Sequence, residues 1–257
     1  MSKVLFNNQW LDPDQAQINL QSDALMYGLG LFETLRTYSG KSLPLLDKHI
    51  ERLFTSLETF PIEIKYQPQQ IAEMVQKVVA QSEHELQRIK IVAIPEGVMV
   101  SSHKLTLNPT TLKGITLKTT VLKRAMPEYK STAYADCYIS WQAAQNQGFF
   151  DALLIDTTTQ VYESTRANIF WITKGQIVTR QDEILPGIIR SIIINDMPQS
   201  VKFSNGTLDD LFSADEVFIT NSIIGIAPVI EIDGNHIGPA NITNSLINEL
   251  QKHISSR

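Results

Sequence analysis

Val161-Tyr162-Glu163-Ser164-Thr165-Arg166-Ala167-Asn168-Ile169-Phe170, followed at a short interval by Ile184-Leu185-Pro186-Gly187-Ile188-Ile189-Arg190, is the most informative stretch of the chain. Val161 to Glu163 and Asn168 to Ile172 read as short strands, and the second turns at Lys174-Gly175 into Ile177 to Thr179. Pro186-Gly187 then opens a helix, with the proline near the first turn, where its missing N–H does no harm. The stretch therefore sets an acid, Glu163, among apolar strand residues, where an unpaired carboxylate would be costly.

Working outward, the downstream chain gives a short helix at about Leu208 to Phe212, a strand from Val217 to Thr220, a hairpin over Asp233-Gly234 and a helix from about Ile242 to Ile254. Upstream, Ala152 to Ile155 and Thr116 to Leu122 read as strands, and Ala133 to Asn146 as a helix ending at Gly148. Further back, Val4 to Leu11 is extended in character. Leu31 to Tyr38 breaks at Ser39-Gly40 before Leu43 to Leu46, which predicts a hairpin. Asp47 is the expected N-cap of a helix whose apolar stripe is Ile50, Leu53, Phe54 and Leu57, with His49, Glu51, Arg52 and Glu58 between them; Pro61 ends it. A second amphipathic helix spans about Pro68 to Ser82, and Ile89 to Ile94 reads as a buried strand. Turn formers thicken over Asn108 to Gly114, so the boundary between a smaller N-terminal α/β domain, 1–115, and a larger C-terminal one, 116–257, is placed there. There is no internal repeat, and the class is α+β or mixed α/β.

Length and composition agree with one large domain or two smaller ones: 257 residues, 43% hydrophobic and 19% charged, leave little room for disordered tails. A formal charge of −5 argues against nucleic acid and anionic membranes as general partners. No apolar run approaches the ~20 residues that span a bilayer, and the start lacks a signal-peptide core, so a cytoplasmic protein is expected. The lone Cys137 cannot form an internal disulfide and reads as a packed helix residue rather than a nucleophile. Common site types are missing. Gly28-Leu29-Gly30 has neither the third glycine nor the following helix of a phosphate loop, the histidines are too scattered for zinc, and there is no Gly-x-Ser-x-Gly elbow.

The remaining motifs gain meaning from their order. Tyr27 to Arg36, His49-Ile50-Glu51-Arg52-Leu53, Pro127-Glu128-Tyr129-Lys130-Ser131, Phe150 to Asp156, the opening stretch, and Asp215 to Ser222 follow one another. In that order the chain resembles the class IV aminotransferase family, the fold type IV pyridoxal-phosphate enzymes, over nearly its whole length. The resemblance implies a two-domain, D-amino acid aminotransferase-like fold, a homodimer, and pyridoxal 5′-phosphate in the cleft between the domains. It puts on Lys130 the amine that condenses with the cofactor aldehyde and later shuttles a proton, although taken singly Lys130 is a plain loop lysine. Glu163 becomes the acid that keeps the pyridine nitrogen protonated. Arg52, read on the polar side of its helix, matches the phosphate-binding arginine, and the backbone N–H groups of Ile188 and Ile189 provide a second cradle at a helix start. Ser222 matches the position that offers the phosphate a hydroxyl, though its type also fits an ordinary loop. Tyr134, one helical turn after Lys130 if the helix begins early enough, matches a tyrosine on the cofactor's phenolic oxygen; core packing is the other reading.

Ala133 and Leu29 depart from the family without removing a reactive group, whereas Ile94 to Met99 lacks the Arg-bearing loop that helps to choose the substrate. The run Thr220 to Val229, together with Thr34 as a helper in proton transfer, looks more like aminodeoxychorismate lyase. The favoured expectation is therefore 4-amino-4-deoxychorismate lyase, a folate-pathway activity giving 4-aminobenzoate and pyruvate. The alternative is an aminotransferase on branched-chain or D-amino acids with a 2-oxo acid acceptor. A non-catalytic binding protein on the same scaffold is disfavoured by the presence of Lys130, Glu163 and Arg52 together.

Overall fold

The computed structural model describes residues 4–256, which form two compact units. The first comprises the chain up to Thr106 together with Tyr129–Tyr134; the second comprises Leu107–Glu128 and the chain from Ala135 onward. The chain thus passes between units three times, where the sequence reading draws a single boundary at 115/116.

The first unit contains β1 (Val4–Phe6), β2 (Gln9–Leu11), α1 (Asp23–Met26), β3 (Leu31–Arg36), α2 (Leu46–Leu57), α3 (Pro68–Gln81), β4 (Gln87–Ile94) and β5 (Gly97–Lys104). Its sheet is antiparallel in the order β2-β1-β5-β4-β3. Period-two alternation divides β3 into a buried row, Leu31, Glu33 and Leu35, and a half-buried row, Phe32, Thr34 and Arg36. The buried row meets the apolar stripes of the two longer helices: Leu46, Ile50 and Leu53 of α2, and Ile71, Met74, Val75 and Val78 of α3, share one core with Leu31, Leu35, Ile89 and Ile91. Pro at the first turn and a Gln67/Gln70 capping box start α3.

Two expectations fail in this unit. Leu43 to Leu46 forms no hairpin with β3, whose partner is β4, in the register Leu31↔Ala93 to Arg36↔Arg88. Ser39–Lys41 is a single tight turn with Gly40 at φ 66, and Leu45 and Leu46 go instead to the core as α2 begins. Nor does Asp47 cap that helix. The cap position is Leu45, without a side-chain bond, and Asp47 lies in the first turn, where its charge favours the helix dipole.

The second unit contains β6 (Ile115–Val121), α4 (Ala135–Asn146), β7 (Asp151–Ile155), β8 (Val161–Ser164), β9 (Asn168–Thr173), β10 (Gln176–Thr179), α5 (Ile188–Asn195), β11 (Val201–Phe203), α6 (Leu208–Phe212), β12 (Glu216–Asn221), β13 (Gly225–Ile232), β14 (Asn235–His236) and α7 (Asn241–Ser255). Its sheet runs β11-β10-β9-β12-β13-β6-β7-β8 and closes on itself where Glu163 of β8 pairs with Asn168 of β9. Closure gives β8 a partner on both sides, while β11 remains an edge at the free end of the order. Alternate positions of its strands point to one side, where Leu117, Leu153, Val161, Ile169, Trp171, Val217, Ile219, Ala227 and Val229 fill a single core. The opposite face is apolar too. Phe170 and Phe218 are cross-strand partners stacked at 4.9 Å, a pairing worth about 0.5–1.5 kcal/mol beyond its area. The buried Glu216 accepts the first N–H groups of α7, from Ile242 at 2.7 Å and Thr243 at 2.8 Å, and so fixes that helix to β12.

Cys137 is a packed helix residue, with its thiol pushed up to about 12 by burial and then by Asp136. Among the described residues no helix is long and apolar enough to cross a membrane, and no group of three His, Cys, Asp or Glu side chains is placed to hold a metal ion.

Candidate active site

In the first unit, the segment Tyr129–Tyr134 lies along the outer edge of β3. Leu31 pairs with Ser131, Phe32 N–H donates to Lys130 C=O at 2.8 Å, and Thr132 N–H donates to Gly30 C=O at 2.8 Å. The glycines that fail as a phosphate loop serve this contact. A Cβ on Gly30 would lie 2.6 Å from Thr132 Oγ1, and Gly28, at φ +63, would meet the Ala133 backbone at 2.9 Å. Thr132 Oγ1 donates in turn to Gly28 C=O at 2.8 Å. The sequence thus carries Gly-x-Gly so that a lysine-bearing segment can approach closely.

Lys130 Nζ sits 4.5 Å from the centre of the Phe32 ring, and Tyr134 meets the same ring edge-on at 5.9 Å. The expected helical spacing does not bring them together, because α4 begins only at Ala135; a non-helical segment that turns at Thr132, where Tyr134 N–H donates to Thr132 C=O at 2.8 Å, does so instead. Thr34 lies on the Phe32 face of β3, opposite Lys90, whose ammonium stands 4.8 Å from the same ring. Loss of hydration, followed by the charge of Arg88, lowers the pKa of Lys90.

The buried face of β3 presents Glu33, 1% exposed. Arg52 grips it with Nε to Oε1 at 2.8 Å and Nη2 to Oε2 at 2.6 Å, and His49 Nδ1 reaches Oε2 at 2.6 Å. Burial alone would raise the carboxyl pKa, but the guanidinium charge and the His49 bond outweigh it and hold Glu33 down to about 2. His49 is pushed below its ordinary value by burial first, against the pull of Glu33. It is therefore neutral near pH 7, donating from Nδ1 and leaving Nε2 buried without a partner. Arg52 is thus half-buried against an acid of the core rather than lying on a solvated helix face.

In the second unit, Glu163 is 4% exposed. Its Oε1 accepts from Arg124 at 2.8 Å, and its Oε2 accepts from Asn168 Nδ2 and Leu185 N–H, each at 3.2 Å. Asn168 also donates to Leu185 C=O at 2.8 Å, and its Oδ1 occupies the place a Gly187 Cβ would take. Gly187 is the N-cap of α5, so the loop that holds Glu163 runs directly into the helix start at Ile188 and Ile189. The N–H groups of that first turn have no partner within the helix. Ser222 lies in the turn between β12 and β13, two residues beyond Thr220, whose Oγ1 is buried without a hydrogen bond. In the same turn Asn221 Oδ1 accepts from Ile223 and Ile224 N–H, both at 2.9 Å.

These features fit pyridoxal 5′-phosphate chemically. A fixed buried carboxylate suits a pyridinium, a helix N-terminus and an orphaned hydroxyl suit a phosphate, and a lysine stacked on an aromatic ring suits a reactive amine. Sequence reasoning assigns no role to Glu33, His49, Arg124 or Asn168. Glu33 and His49 do carry a signal, since each interrupts an apolar row, Leu31-x-Glu33-x-Leu35 and Leu46-x-x-His49-Ile50, where a polar residue is buried only if it is paired. Arg124 carries none.

A family model described as Amino-transferase class IV matches residues 30–232. The D-alanine aminotransferase of Listeria monocytogenes is 28% identical over 262 residues, covering 90% of this chain and 88% of that protein. The branched-chain-amino-acid aminotransferase of Pseudomonas aeruginosa is 27% identical over 259 residues, covering 90% of this chain and 83% of its own. In structure, the T.th. branched-chain amino acid aminotransferase solved with pyridoxamine 5′-phosphate superposes with a TM-score of 0.90, at 24% identity, over 100% of this chain and 95% of that one. The fold is thus the mixed α/β fold expected. The relatives bear aminotransferase names, which favours the aminotransferase alternative over the lyase expectation built on Thr34 and the Thr220 to Val229 run.

Proposed function

The chain belongs to the class IV aminotransferase family, and from that premise we propose that it moves the amino group of a branched-chain amino acid or D-alanine to a 2-oxo acid. Its cofactor is pyridoxal 5′-phosphate. The observation that carries the reading is the family match over 30–232, which takes in Lys130 and Glu163 alike. When bound, the cofactor draws electrons away from the bonds at the substrate α-carbon.

The protein's own groups do the rest. Lys130 Nζ would hold the cofactor through its aldehyde and, once free, would carry the proton at the substrate α-carbon. Glu163, pinned by Arg124, Asn168 and Leu185, keeps the proton on the pyridine nitrogen. Arg52, the N–H groups of Ile188 and Ile189, and the Ser222 hydroxyl would hold the phosphate, and the Tyr134 hydroxyl would serve the phenolic oxygen. Thr34 lies on the same face of β3 as Phe32. The enzyme is a cytoplasmic homodimer in this reading, and light scattering on the purified chain tests its assembly.

To test the activity, purified holoenzyme is incubated with L-leucine or D-alanine, with and without 2-oxoglutarate, and separately with aminodeoxychorismate. Glutamate formed from one of the amino acids only when the oxo acid is present is the expected result. Pyruvate from aminodeoxychorismate without any acceptor would return the lyase reading instead.

A further inference from the structure

The phosphate role of Arg52 raises a question that the structure answers within the first unit: what holds a guanidinium on a helix flank in one orientation. Arg52 is a long side chain with several rotamers, and freezing it costs conformational entropy. On β3, Glu33 occupies a position where its neighbours along the row, Leu31 and Leu35, are apolar and buried. An ionised acid there has no structural use that a leucine would not serve better, unless something requires its charge. Its oxygens are fully committed, with a two-point fork from Arg52 and a bond from His49, itself 0% exposed. The fork uses Nε and Nη2 of a group that carries further N–H donors, and it fixes the plane in which those donors point.

We propose that Glu33 is a positioning residue for cofactor phosphate, clamping the Arg52 guanidinium with His49 bracing the clamp at Oε2. The proposal rests on the reading of Arg52 as a phosphate ligand. His49 suits the bracing role because its neutral ring adds a donor to Glu33 without adding a charge that would compete with Arg52. A glutamine in place of Glu33 keeps the shape, but it loses the charge and turns an amide N–H₂ towards donors, so the fork cannot survive intact.

The test separates phosphate recognition from aldehyde recognition. Full-length apoprotein of wild type, Glu33→Gln, Glu33→Asp, Arg52→Ala and Glu33→Gln/Arg52→Ala is titrated with pyridoxal 5′-phosphate and with pyridoxal, which lacks the phosphate. Circular dichroism checks folding. Expected for Glu33→Gln is roughly tenfold or more weaker binding of the phosphate ester, with pyridoxal unchanged within about twofold. In the Arg52→Ala background the second substitution adds no further loss, because the clamp has nothing left to hold. Glu33→Asp, which keeps the charge on a shorter arm, falls between wild type and Glu33→Gln, and it serves alone if Glu33→Gln does not fold. Unchanged or tighter binding of the phosphate ester by the Glu33 variants, or an equal loss for both aldehydes, overturns the proposal. If Arg52→Ala itself discriminates between the two aldehydes as wild type does, the phosphate reading of Arg52 fails instead.

Discussion

Glu33 and His49 are buried titratable groups that face each other, and both have folded-state pKa values below their ordinary ones. As pH falls, the unfolded chain takes up protons that the folded chain refuses, so both groups stabilise the fold at neutral pH and lose that contribution on acidification. For His49 the loss begins below 6.5; for Glu33 it runs from 4.5 down to about 2. Asp151, which burial raises, works in the opposite sense, but it is the same in wild type and variant. The stability advantage of wild type over Glu33→Gln should therefore be larger at about pH 5 than at about pH 3, read as the difference in urea midpoints. A difference that stays constant across that range would show that the fold does not lower the Glu33 pKa, and one that grows towards pH 3 would show that the fold holds Glu33 protonated. The acid can be singled out from the sequence as a misfit in an apolar row. Its partners cannot, since nothing in the spacing of residues 33, 49 and 52 says which helix face will lie on which strand face.

Among elements, the edge of β3 shows how a strand and a distant loop are matched by side-chain size alone. The two backbones come close because Gly28 and Gly30 leave room for Ala133 and Thr132. In Gly30→Ala the new methyl would press on Thr132 Oγ1 at 2.6 Å and on Ile94 Cγ2 at 3.0 Å, overpacking worth about 1–3 kcal/mol. The strain falls on the segment that carries Lys130, so cofactor linkage should suffer more than global stability. The check is borohydride trapping of the cofactor on Lys130 beside a thermal melt; a variant that melts earlier yet traps cofactor as well as wild type would break the argument. Most elements are legible where a helical periodicity dominates, as in α3 and α7, or where an unbroken apolar run does, as in β7, β9 and β12. β5 is not, because Ser101, Ser102, His103 and Lys104 dilute its apolar half. The start of α2 is misplaced by the sequence because Asp47 looks like a cap, while tertiary burial of Leu45 and Leu46 decides where the turn begins. The start of α4 falls too early in the sequence reading because Ala133 is a good helix former, although its backbone lies against Gly28 ahead of the helix.

At the scale of the whole molecule, the chain order conceals the ownership of Lys130. The sequence reading places it in the second domain, by position, whereas its main-chain bonds belong to the sheet of the first unit, about a hundred residues away along the chain. No local pattern encodes such a pairing; only the paired glycines and the Lys130 segment, taken together, hint at it. The consequence is physical. A fragment ending at 115 would leave Phe32 N–H and Gly30 C=O without the partners they have at 2.8 Å, and would open the β3 edge to other chains. A fragment of 1–106 joined to 129–134 by a polar linker in place of 107–128 keeps the segment that closes that edge without carrying β6 stripped of its partners β13 and β7. The joined fragment should therefore melt higher and elute as a smaller species on gel filtration, while the one ending at 115 self-associates. Exchange of the Phe32 amide should be slow in the joined fragment and fast in the other, since that hydrogen bond is made to Lys130 alone. Equal protection of Phe32 in both would mean that the edge finds another cover, and that the lysine segment is a passenger on the first unit rather than part of its sheet.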